Sequence, residues 1–285
     1  MGRLRRNQIE LKTIDQVRHM RRADMVVASI HQALRAAAKP GVTTAQLDEV
    51  SARVIEKAGA KSNFLGYYGY PATVCISVND TVVHGIPNDY ALREGDLVSF
   101  DCGAYIEADG KQWHGDAAFT TIVGGDSAGS EEDRMLSAIT EEAMWAAIAA
   151  TATGSTVGCV GDAVEEVVAR RAVENGWEAG IVEEFIGHGI GTKMHMPPDV
   201  LNYSVRGRSP KLQPGMVICI EPILTRGSAR TRTLSDDWTV KTVDGSKAAH
   251  WEHSVAILPE GVCVLSAPDY GAKGLAPYGL IPVRL

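Results

Sequence analysis

Apolar residues recur at every third or fourth position in four stretches of the chain, which is the spacing of one buried helix face. The first stretch opens with Thr13-Ile-Asp-Gln16, a Thr followed three residues later by Gln, as in a capping box. Lys39-Pro40-Gly41 is expected to stop this helix, because proline cannot continue it. We expect Thr44 to cap a second helix and Gly59 to end it. Two further helices are predicted from about Glu131 to Thr151 and from about Val160 to Asn175.

Runs of β-branched and aromatic residues between turn-forming residues predict the strands. Gly95-Asp-Leu-Val-Ser-Phe-Asp101 ends in an acid, and a second strand-like stretch, Lys111 to Val123, carries Asp116. Residues 62–72 are rich in glycine and aromatic residues, so they predict a loop that either lines a pocket or caps the core with its rings. Further strands are predicted at residues 73–78, 216–221, 252–258 and 261–265, with a hairpin near Ser235–Val240.

The two halves of the chain repeat one order of elements: two helices joined by a Gly-Val-Thr-Thr or Gly-Ser-Thr-Val turn, then a loop and strands. In both halves a glycine stands six residues before an acid that ends an apolar strand, Gly95 before Asp101 and Gly215 before Glu221. Two copies of such a unit should place these acids symmetrically about the interface between the halves, which is a common position for a site.

No linker-like composition separates the halves, so we predict a single α/β (α+β) domain with pseudo-twofold symmetry. This domain is expected to cover residues 13–266. Residues 1–12 then form an N-terminal extension. The tail at residues 267–285 is rich in proline and glycine and is expected to lie extended on the surface.

The net charge of −7 argues against a general nucleic-acid binder, DNA included. Basic residues concentrate only near the start of the chain, where we expect a solvated helix face and a frayed terminus; a weak contact with ribosomal RNA is the alternative. These residues are Arg3, Arg5, Arg6, Lys12, Arg18, Arg21 and Arg22.

The five cysteines are odd in number and contain no Cys-x-x-Cys pair, which indicates free thiols in a reducing compartment. The arginines near the start are not followed by the apolar stretch of a signal peptide. The longest apolar run, Ala143 to Ala152, is too short to span a membrane. We therefore predict a cytoplasmic protein with no membrane partner.

Four acids and one histidine end or follow apolar strands, or lie in a glycine-rich turn: Asp101, Asp116, His188, Glu221 and Glu252. Acids buried on apolar strands are costly unless a metal ion offsets the cost. For Asp101 and Asp116 alone, two surface turn aspartates are the alternative. The set suits Mn²⁺, Fe²⁺, Co²⁺ or Zn²⁺, and two ions rather than one would balance four carboxylates in a hydrolytic centre.

Three other residues stand beside this set. His84 and His195 lie in loops flanked by glycine or proline, where each either hydrogen-bonds a substrate amide or a developing oxyanion, or is structural. Cys219 lies two residues before Glu221 and so faces the same side of the strand, near the metals. Its expected role is that of a buried, inert thiol.

The chain resembles the type I methionine aminopeptidases. The matching stretches span about residues 12 to 266 in the same order: Gly69-Tyr-Pro, Val74-Cys-Ile-Ser-Val-Asn-Asp80, Val83-His-Gly-Ile-Pro87, Gly95–Asp101, His114-Gly-Asp116, Gly187-His-Gly-Ile-Gly191, Met194-His195, Pro214–Pro222, Asp237-Trp-Thr-Val240 and Trp251-Glu-His253. The resemblance implies the "pita-bread" fold, in which two pseudo-symmetric halves, each with a helix pair and antiparallel strands, surround a dinuclear metal site.

The resemblance also implies ligand roles. Asp101 is similar to the bidentate ligand of one ion, and Asp116 and Glu252 to the bridging carboxylates. His188 and Glu221 are similar to the remaining ligands of the other ion, with Glu221 also handling the proton of the bridging water. His84 and His195 match the two histidines that contact the substrate. The residues that match the methionine pocket are Tyr67, Tyr70, Cys75 and Trp238, with Phe64 and Met194 as neighbours.

By this resemblance, the chain removes the N-terminal methionine of nascent proteins whose second residue is small (Gly, Ala, Ser, Thr, Cys, Pro or Val). A hydroxide that bridges two divalent ions (Co, Mn, Fe or Zn) would attack the scissile carbonyl. The implied partners are nascent N-termini and, transiently, the ribosome, and the chain is expected to be a monomer. Two alternatives share the fold: a proline-specific aminopeptidase or dipeptidase, which usually carries an extra N-terminal domain, and a metal-free peptide-binding protein.

The chain departs from the family pattern in three places. Gly103 to Trp113 is a longer excursion between two ligands than the compact bacterial form has, and we expect a longer hairpin tip that leaves both ligands in place. Met196-Pro-Pro198 follows His195 where the family usually has an acidic pair before proline, which should change only the rim. The short N-terminal extension has no zinc-finger cysteines, so no ribosome docking through such a module is expected.

Overall fold

The computed structural model describes residues 9–285 of the chain. Its helices are α1 (Ile14–Ala37), α2 (Thr44–Lys57), α3 (Glu131–Thr153), α4 (Cys159–Asn175) and α5 (Ala272–Leu275). Its strands are β1 (Lys61–Ser62), β2 (Val74–Val78), β3 (Thr81–Val83), β4 (Leu97–Ala108), β5 (Lys111–Ile122), β6 (Gly180–Ile181), β7 (Gly187–Gly189), β8 (Met196–Val200), β9 (Val217–Ile220), β10 (Ile223–Thr225), β11 (Thr231–Thr233), β12 (Val240–Thr242), β13 (Ala248–His250), β14 (Glu252–Leu258) and β15 (Gly261–Val264).

The long helices begin where local sequence predicts they should. The Thr13 hydroxyl accepts from the backbone N–H of Gln16, whose side chain accepts from the backbone N–H of Thr13, so the capping box at α1 is confirmed. The predicted cap of α2 is wrong by one residue. Thr43 is the N-cap, because only Thr43 has Gln46 at the position that completes a second capping box. The side chain of Thr44 instead donates to the backbone oxygen of Asn88.

One antiparallel sheet of nine strands joins the two halves of the chain, in the order β1-β4-β5-β14-β9-β7-β8 with β2 on β4 and β15 on β14. Strands β4 and β5 come from the first half, and β14 and β9 from the second. The halves meet where β5 pairs with β14. Two three-stranded sheets, β13-β10-β6 and β11-β12-β3, lie beside this large sheet.

The internal repeat is visible in the backbone. Isolated bridges pair Thr43 with Ala91 in the first half and Thr156 with Lys211 in the second, which ties each helix–helix turn to the segment before the central strand. Four residues after each bridge partner, Gly95 and Gly215 both adopt positive φ, +84° and +92°, conformations that glycine tolerates best. The pseudo-symmetric α/β architecture with helix pairs α1/α2 and α3/α4 is therefore confirmed.

Successive side chains of the central strands point to opposite faces of the sheet, so one face packs in the core and the other faces the site. On β4, Phe100 and Cys102 are fully buried and pack in one apolar cluster with Ile30 of α1 and Leu47 of α2. Asp101 lies between them and so points to the opposite face of the sheet. On β9, Ile218 and Ile220 pack likewise in the cluster built around α3 and α4. The opposite face of the central strands is left for polar chemistry.

The hairpin of β4 and β5, which carries the candidate ligands Asp101 and Asp116, has a long outer part that ends in a short turn. Strands β4 and β5 pair without interruption from Leu97 opposite Ile122 to Ala108 opposite Lys111. A two-residue turn, Asp109-Gly110, closes the hairpin with positive φ at both positions, as a type I′ turn demands. The excursion between Gly103 and Trp113 is therefore the outer part of one regular hairpin, and it leaves Asp101 and Asp116 on paired strands.

The two ends of the described chain differ from expectation. The C-terminal tail is not simply extended, since it forms α5, and Leu275 is fully buried. Arg21 is buried rather than solvated, because its guanidinium donates to backbone oxygens in the segment just before α5, including those of Ala267 (2.6 Å) and Pro268 (3.0 Å). Lys12 is buried as well.

Of the remaining N-terminal basic residues, two are described by the structure and three are not. Arg18 and Arg22 are exposed on α1, as predicted. Arg3, Arg5 and Arg6 lie outside the described residues, together with most of the predicted extension. None of the helices in the described part of the chain is long and apolar enough to cross a membrane.

Candidate metal centre and binding pocket

The acids converge because three strands meet around a small residue, Ala118. Asp101 on β4 and Glu252 on β14 both lie opposite Ala118 of β5 in the strand pairing. Asp116 lies two residues before Ala118, and therefore on the same face of the sheet. Glu221 directly follows β9, the neighbour of β14 on its other side. Register alone thus brings four carboxylates to one face.

His188 joins them from β7, whose two glycines permit a very close approach. A Cβ on Gly187 would lie 2.3 Å from the backbone oxygen of Cys219, and one on Gly189 would lie 2.2 Å from that of Pro197. The Nδ1 atom of His188 lies 3.0 Å from the backbone oxygen of Gly189. If Nδ1–H donates there, Nε2 is left with its lone pair free. That Nε2 atom lies 3.4 Å from Oε1 of Glu221.

The donor set fits divalent cations. Asp116 and Glu252 are almost fully buried, and Oδ1 of Asp116 and Oε1 of Glu252 have no hydrogen-bond partner among residues 9–285. Burial and neighbouring acids raise the pKa of Asp116, Glu221 and Glu252 well above the usual range. Burial raises the pKa of Asp101 to about 7. Since the four acids repel one another and two of them have a buried oxygen without a donor, cations are the natural partners that would let them ionise.

Four potential ligand atoms form the tightest group. One atom each from Asp116, His188, Cys219 and Glu252 lies within 4.8 Å of the other three. Asp101 and Glu221 line one cavity together with Asp116, His188 and Glu252. Cys219 is fully buried, and burial together with Glu252 raises the pKa of its thiol.

The thirteen residues predicted as ligands, catalytic groups or pocket wall line one cavity of about 280 Å³: Phe64, Tyr67, Tyr70, Cys75, His84, Asp101, Asp116, His188, Met194, His195, Glu221, Trp238 and Glu252. Cys219 is not among the residues that line it. Their individual roles remain predictions. The loop at residues 62–72 lines this pocket rather than merely capping the core, so the first of its two interpretations is the one that the structure favours.

Aromatic rings form the wall opposite the acids. Tyr70 is held by its hydroxyl, which donates to the backbone oxygens of Val74 (3.3 Å) and Gly85 (3.0 Å). Its ring packs edge-on against Trp238, with 5.1 Å between centroids, and against Phe64 at 6.4 Å. A fixed, largely apolar wall of this kind suits an unbranched hydrophobic side chain.

Two histidines lie between the acids and the aromatic wall. The Nδ1 atom of His195 lies 2.8 Å from the hydroxyl of Tyr67, and its ring packs edge-on against His188. Burial lowers the pKa of His195 and, together with His195, that of His84 to about 4. Both rings are therefore neutral near pH 7, so each has one N–H to donate.

Sequence reasoning missed three residues at this site. Tyr68 lines the rim of the cavity and is 85% exposed; it lies inside the aromatic loop and could have been included. His250 is buried, with Nε2 4.0 Å from Oε2 of Glu221. His250 lies two residues before Glu252, and this spacing in the sequence could have indicated that it belongs to the site. Asp24 of α1 is fully buried and accepts from the backbone N–H of Asp116 at 3.3 Å, a contact that no local pattern indicates.

Comparisons with known proteins agree with this geometry. The model of metallopeptidase family M24 matches residues 18–259. Methionine aminopeptidase 1 of Mycobacterium tuberculosis is 45% identical over 268 residues, which cover 93% of this chain and 98% of that protein. Methionine aminopeptidase 1 of Bacillus subtilis is 37% identical, with 90% and 98% covered.

Solved structures give the same result. The methionine aminopeptidase of Thermotoga maritima superposes with a TM-score of 0.83 at 33% identity, and the match covers 91% of this chain and 99% of that one. The prolidase of Pyrococcus furiosus superposes with a TM-score of 0.68 at 20% identity, over 65% of its own length. The second likeness is one of fold alone.

Proposed function

The chain belongs to the methionine aminopeptidases of metallopeptidase family M24, and we propose that it removes N-terminal methionine with the residues that line the cavity described above. The observation that carries this assignment of residues is the convergence of two buried and two half-buried acids with His188 beside an aromatic pocket. Two of the acids have oxygen atoms that no other group in the described chain satisfies.

We propose that five residues hold two divalent ions: Asp101, Asp116, His188, Glu221 and Glu252. When bound, such ions polarise a carbonyl group and lower the pKa of water at neutral pH. Asp116 and Glu252 are the best candidates to contact both ions, since they are the most buried of the four proposed acidic ligands and lie nearest the join between the two halves. Which of Mn²⁺, Fe²⁺, Co²⁺ or Zn²⁺ is used follows from availability as well as from ligand type.

The chain's own residues then bind and orient the substrate. Phe64, Tyr70 and Trp238 hold the methionine side chain, with Cys75 and Met194 beside them in one apolar cluster. His84 packs against Trp238, where its N–H can donate to the substrate backbone. These contacts would hold the scissile bond next to the acids. The translational and rotational entropy needed to orient the reacting groups is then lost on binding and does not add to the barrier of the reaction.

Two residues act on charge and protons during the reaction. His195 is positioned to donate from Nε2 to the scissile carbonyl oxygen as that oxygen gains negative charge, because its Nδ1 is already engaged by Tyr67. Glu221, at the end of β9, is positioned to take a proton from the attacking water and pass it to the leaving amine.

The size of the cavity supports selectivity for a small second residue. A methionine side chain occupies the aromatic end of the 280 Å³ space, and the second residue of the substrate must then lie between His195 and the acids. A bulky side chain at that position would clash with groups that cannot move away without giving up their contacts. Substrates with Gly, Ala, Ser, Thr, Cys, Pro or Val as second residue are the ones we expect to be cleaved.

We further propose that the substrates are nascent polypeptides and that the chain acts in the cytoplasm as a monomer. The five cysteines form no disulfide in the described chain, in keeping with a reducing compartment. A transient ribosome contact would involve the exposed Arg18 and Arg22 on α1 rather than the buried Arg21.

A metal assay combined with two peptide substrates tests the assignment. Protein purified without added chelator should retain divalent metal by mass spectrometry, and it should cleave Met-Ala-Ser at least about 100-fold faster than Ala-Pro peptides, since only methionine fills the aromatic pocket. Preferential cleavage of Ala-Pro peptides would favour the proline-specific alternative. If the protein retains no metal and binds peptides without cleaving them, the metal-free alternative would be favoured.

A further inference from the structure

The thiol of Cys219 lies among the candidate metal ligands. Its sulfur belongs to the group of four ligand atoms, with Asp116, His188 and Glu252, that lie within 4.8 Å of one another. Ligand atoms of one ion at zinc-like bond lengths are separated by about 3.3–3.8 Å, which lies within this limit. The other four cysteines of the chain are not in this group.

The sheet itself directs the thiol toward the site. Cys219 on β9 lies opposite Ser254 on β14, two residues from Glu252, so both side chains share a face with the acids. The backbone of β7 lies directly against this position, since a Cβ on Gly187 would be 2.3 Å from the Cys219 oxygen. This close approach brings His188 and Cys219 together from two neighbouring strands.

An inert thiol is the competing interpretation. The sulfur lies 3.6 Å from the hydroxyl of Ser254, a contact in which either group could donate. A neutral thiol is among the commonest buried groups and needs no further role. However, the adjacent Oδ1 of Asp116 and Oε1 of Glu252 are buried without any donor in the described chain, at residues that are only 3% and 2% exposed. A cation bound at this point would satisfy both oxygens and let the acids ionise.

We propose that Cys219 is a direct ligand of the metal ion bound by His188, which makes this position a mixed sulfur, nitrogen and oxygen site. The thiol would lose its proton to solvent on metal binding, because thiols that coordinate metals are deprotonated. This inference rests on the proposed metal centre and adds to it a ligand that the family resemblance does not supply.

The proposal makes the two metal positions chemically different. The position next to Asp101 offers only carboxylate oxygens, which suit Mn²⁺ and similar hard ions. The position next to His188 would offer imidazole and thiolate as well, a set of softer ligands that favours Zn²⁺ and Co²⁺. The chain should therefore bind Zn²⁺ more tightly at one position than at the other.

Absorption spectroscopy of the cobalt-loaded protein tests the proposal without any activity measurement. A thiolate bound to Co²⁺ gives a sulfur-to-metal charge-transfer band in the near ultraviolet, whereas oxygen and nitrogen ligands do not. Titrating metal-free protein with Co²⁺ should produce this band in the unmodified chain and not in Cys219→Ser. Cys263→Ser is the matched control, because Cys263 is equally buried and belongs to the same apolar cluster.

A competition titration gives the second readout. Cys219→Ser should weaken Zn²⁺ binding by more than the about 10- to 100-fold that loss of an outer-shell partner costs, while Mn²⁺ binding stays within about threefold. Equal weakening of both metals would overturn the proposal, since it would point to general damage to the site.

Other outcomes separate this inference from the proposed function. Stoichiometric Co²⁺ binding with no charge-transfer band in the unmodified chain would overturn the thiolate ligand and leave the metal centre intact. A band that survives in Cys219→Ser and disappears in Cys75→Ser would assign the thiolate to the pocket wall instead, and would equally overturn it. Failure of the unmodified chain to bind Co²⁺ at all would overturn both the inference and the proposed metal centre.

Discussion

Replacing His195 with alanine removes one hydrogen-bond donor from the proposed site while leaving every proposed ligand in place. The imidazole is neutral, because burial lowers its pKa, so it carries a single N–H. Its Nδ1 lies 2.8 Å from the hydroxyl of Tyr67. If that hydroxyl donates, the proton of the ring is on Nε2, which is then the one donor available to a developing oxyanion.

The size of the effect follows from the loss of that single donor. Removing one oxyanion donor typically costs ~3–4 kcal/mol of transition-state stabilisation, or about 10²–10³ in rate. We expect His195→Ala to lower kcat for Met-Ala-Ser by this factor with KM little changed, since the methionine pocket still holds the ground state. Metal content per chain should stay at the value of the unmodified protein.

Tyr67→Phe is the matched control for this variant. It keeps the aromatic ring in the pocket and removes only the hydroxyl that orients His195, so its cost should be that of one hydrogen bond, ~1 kcal/mol or about fivefold in kcat. If His195→Ala loses a metal ion, the residue is a ligand and the role given to His188 is wrong. If kcat is unaffected, His195 has only a structural role.

Three other predictions can be checked on the same protein. Asp116→Ala and Glu252→Ala should each abolish activity and lower the measured metal content, and a variant with full activity and full metal would contradict the dinuclear site. Met-Ala peptides should have a kcat/KM at least about 100-fold above Met-Lys peptides; comparable values would refute the proposed pocket. Burial lowers the pKa of His31 from 6.5 to about 3, so the unfolded chain takes up a proton below pH 6.5 that the folded chain refuses. This one histidine should therefore lower the free energy of unfolding as the pH falls, by on the order of 2 kcal/mol at pH 5. Other buried histidines such as His84 keep their own contribution in both proteins, so His31→Gln should lose about 2 kcal/mol less than the unmodified chain between neutral pH and pH 5, measured by urea unfolding.

Local sequence predicted those parts of the fold that depend on neighbouring residues. The Thr13 capping box and the glycine turn at Gly95 are set by contacts within a few residues, and both are present. The repeat could be found because Gly95 and Gly215 each precede an acid by the same interval. Two threonines adjoin at the start of α2, and only the partner at Gln46 distinguishes Thr43, the N-cap, from Thr44.

Contacts between distant segments could not be predicted in this way. Arg21 looked like one of several solvated arginines, and its burial depends on backbone oxygens about 245 residues further along the chain. The same contacts hold the C-terminal segment against α1, which is why that tail is ordered around a buried Leu275 instead of extended. Asp24 was missed for the same reason, because its link to Asp116 crosses from a helix to a strand.

The pseudo-symmetry of the fold also explains why the two metal positions need not be alike. Four residues after the equivalent glycines Gly95 and Gly215 stand Ser99 and Cys219, each opposite a hydroxyl residue on the neighbouring strand. In the first half the two hydroxyl groups of Ser99 and Thr120 share a hydrogen bond of 2.8 Å, and the hydroxyl of Thr120 also donates to the backbone oxygen of His250.

In the second half the equivalent contact, from Cys219 to Ser254, is longer at 3.6 Å, and the sulfur lies within reach of the acids. The repeat thus supplies a symmetric backbone, and a single difference between oxygen and sulfur at corresponding positions distinguishes its two halves. Ser99 offers only a hydroxyl at this position, whereas Cys219 offers a thiol that can become a thiolate ligand, so the second half has a softer additional ligand to offer. The asymmetry in metal preference proposed for this chain follows from that difference.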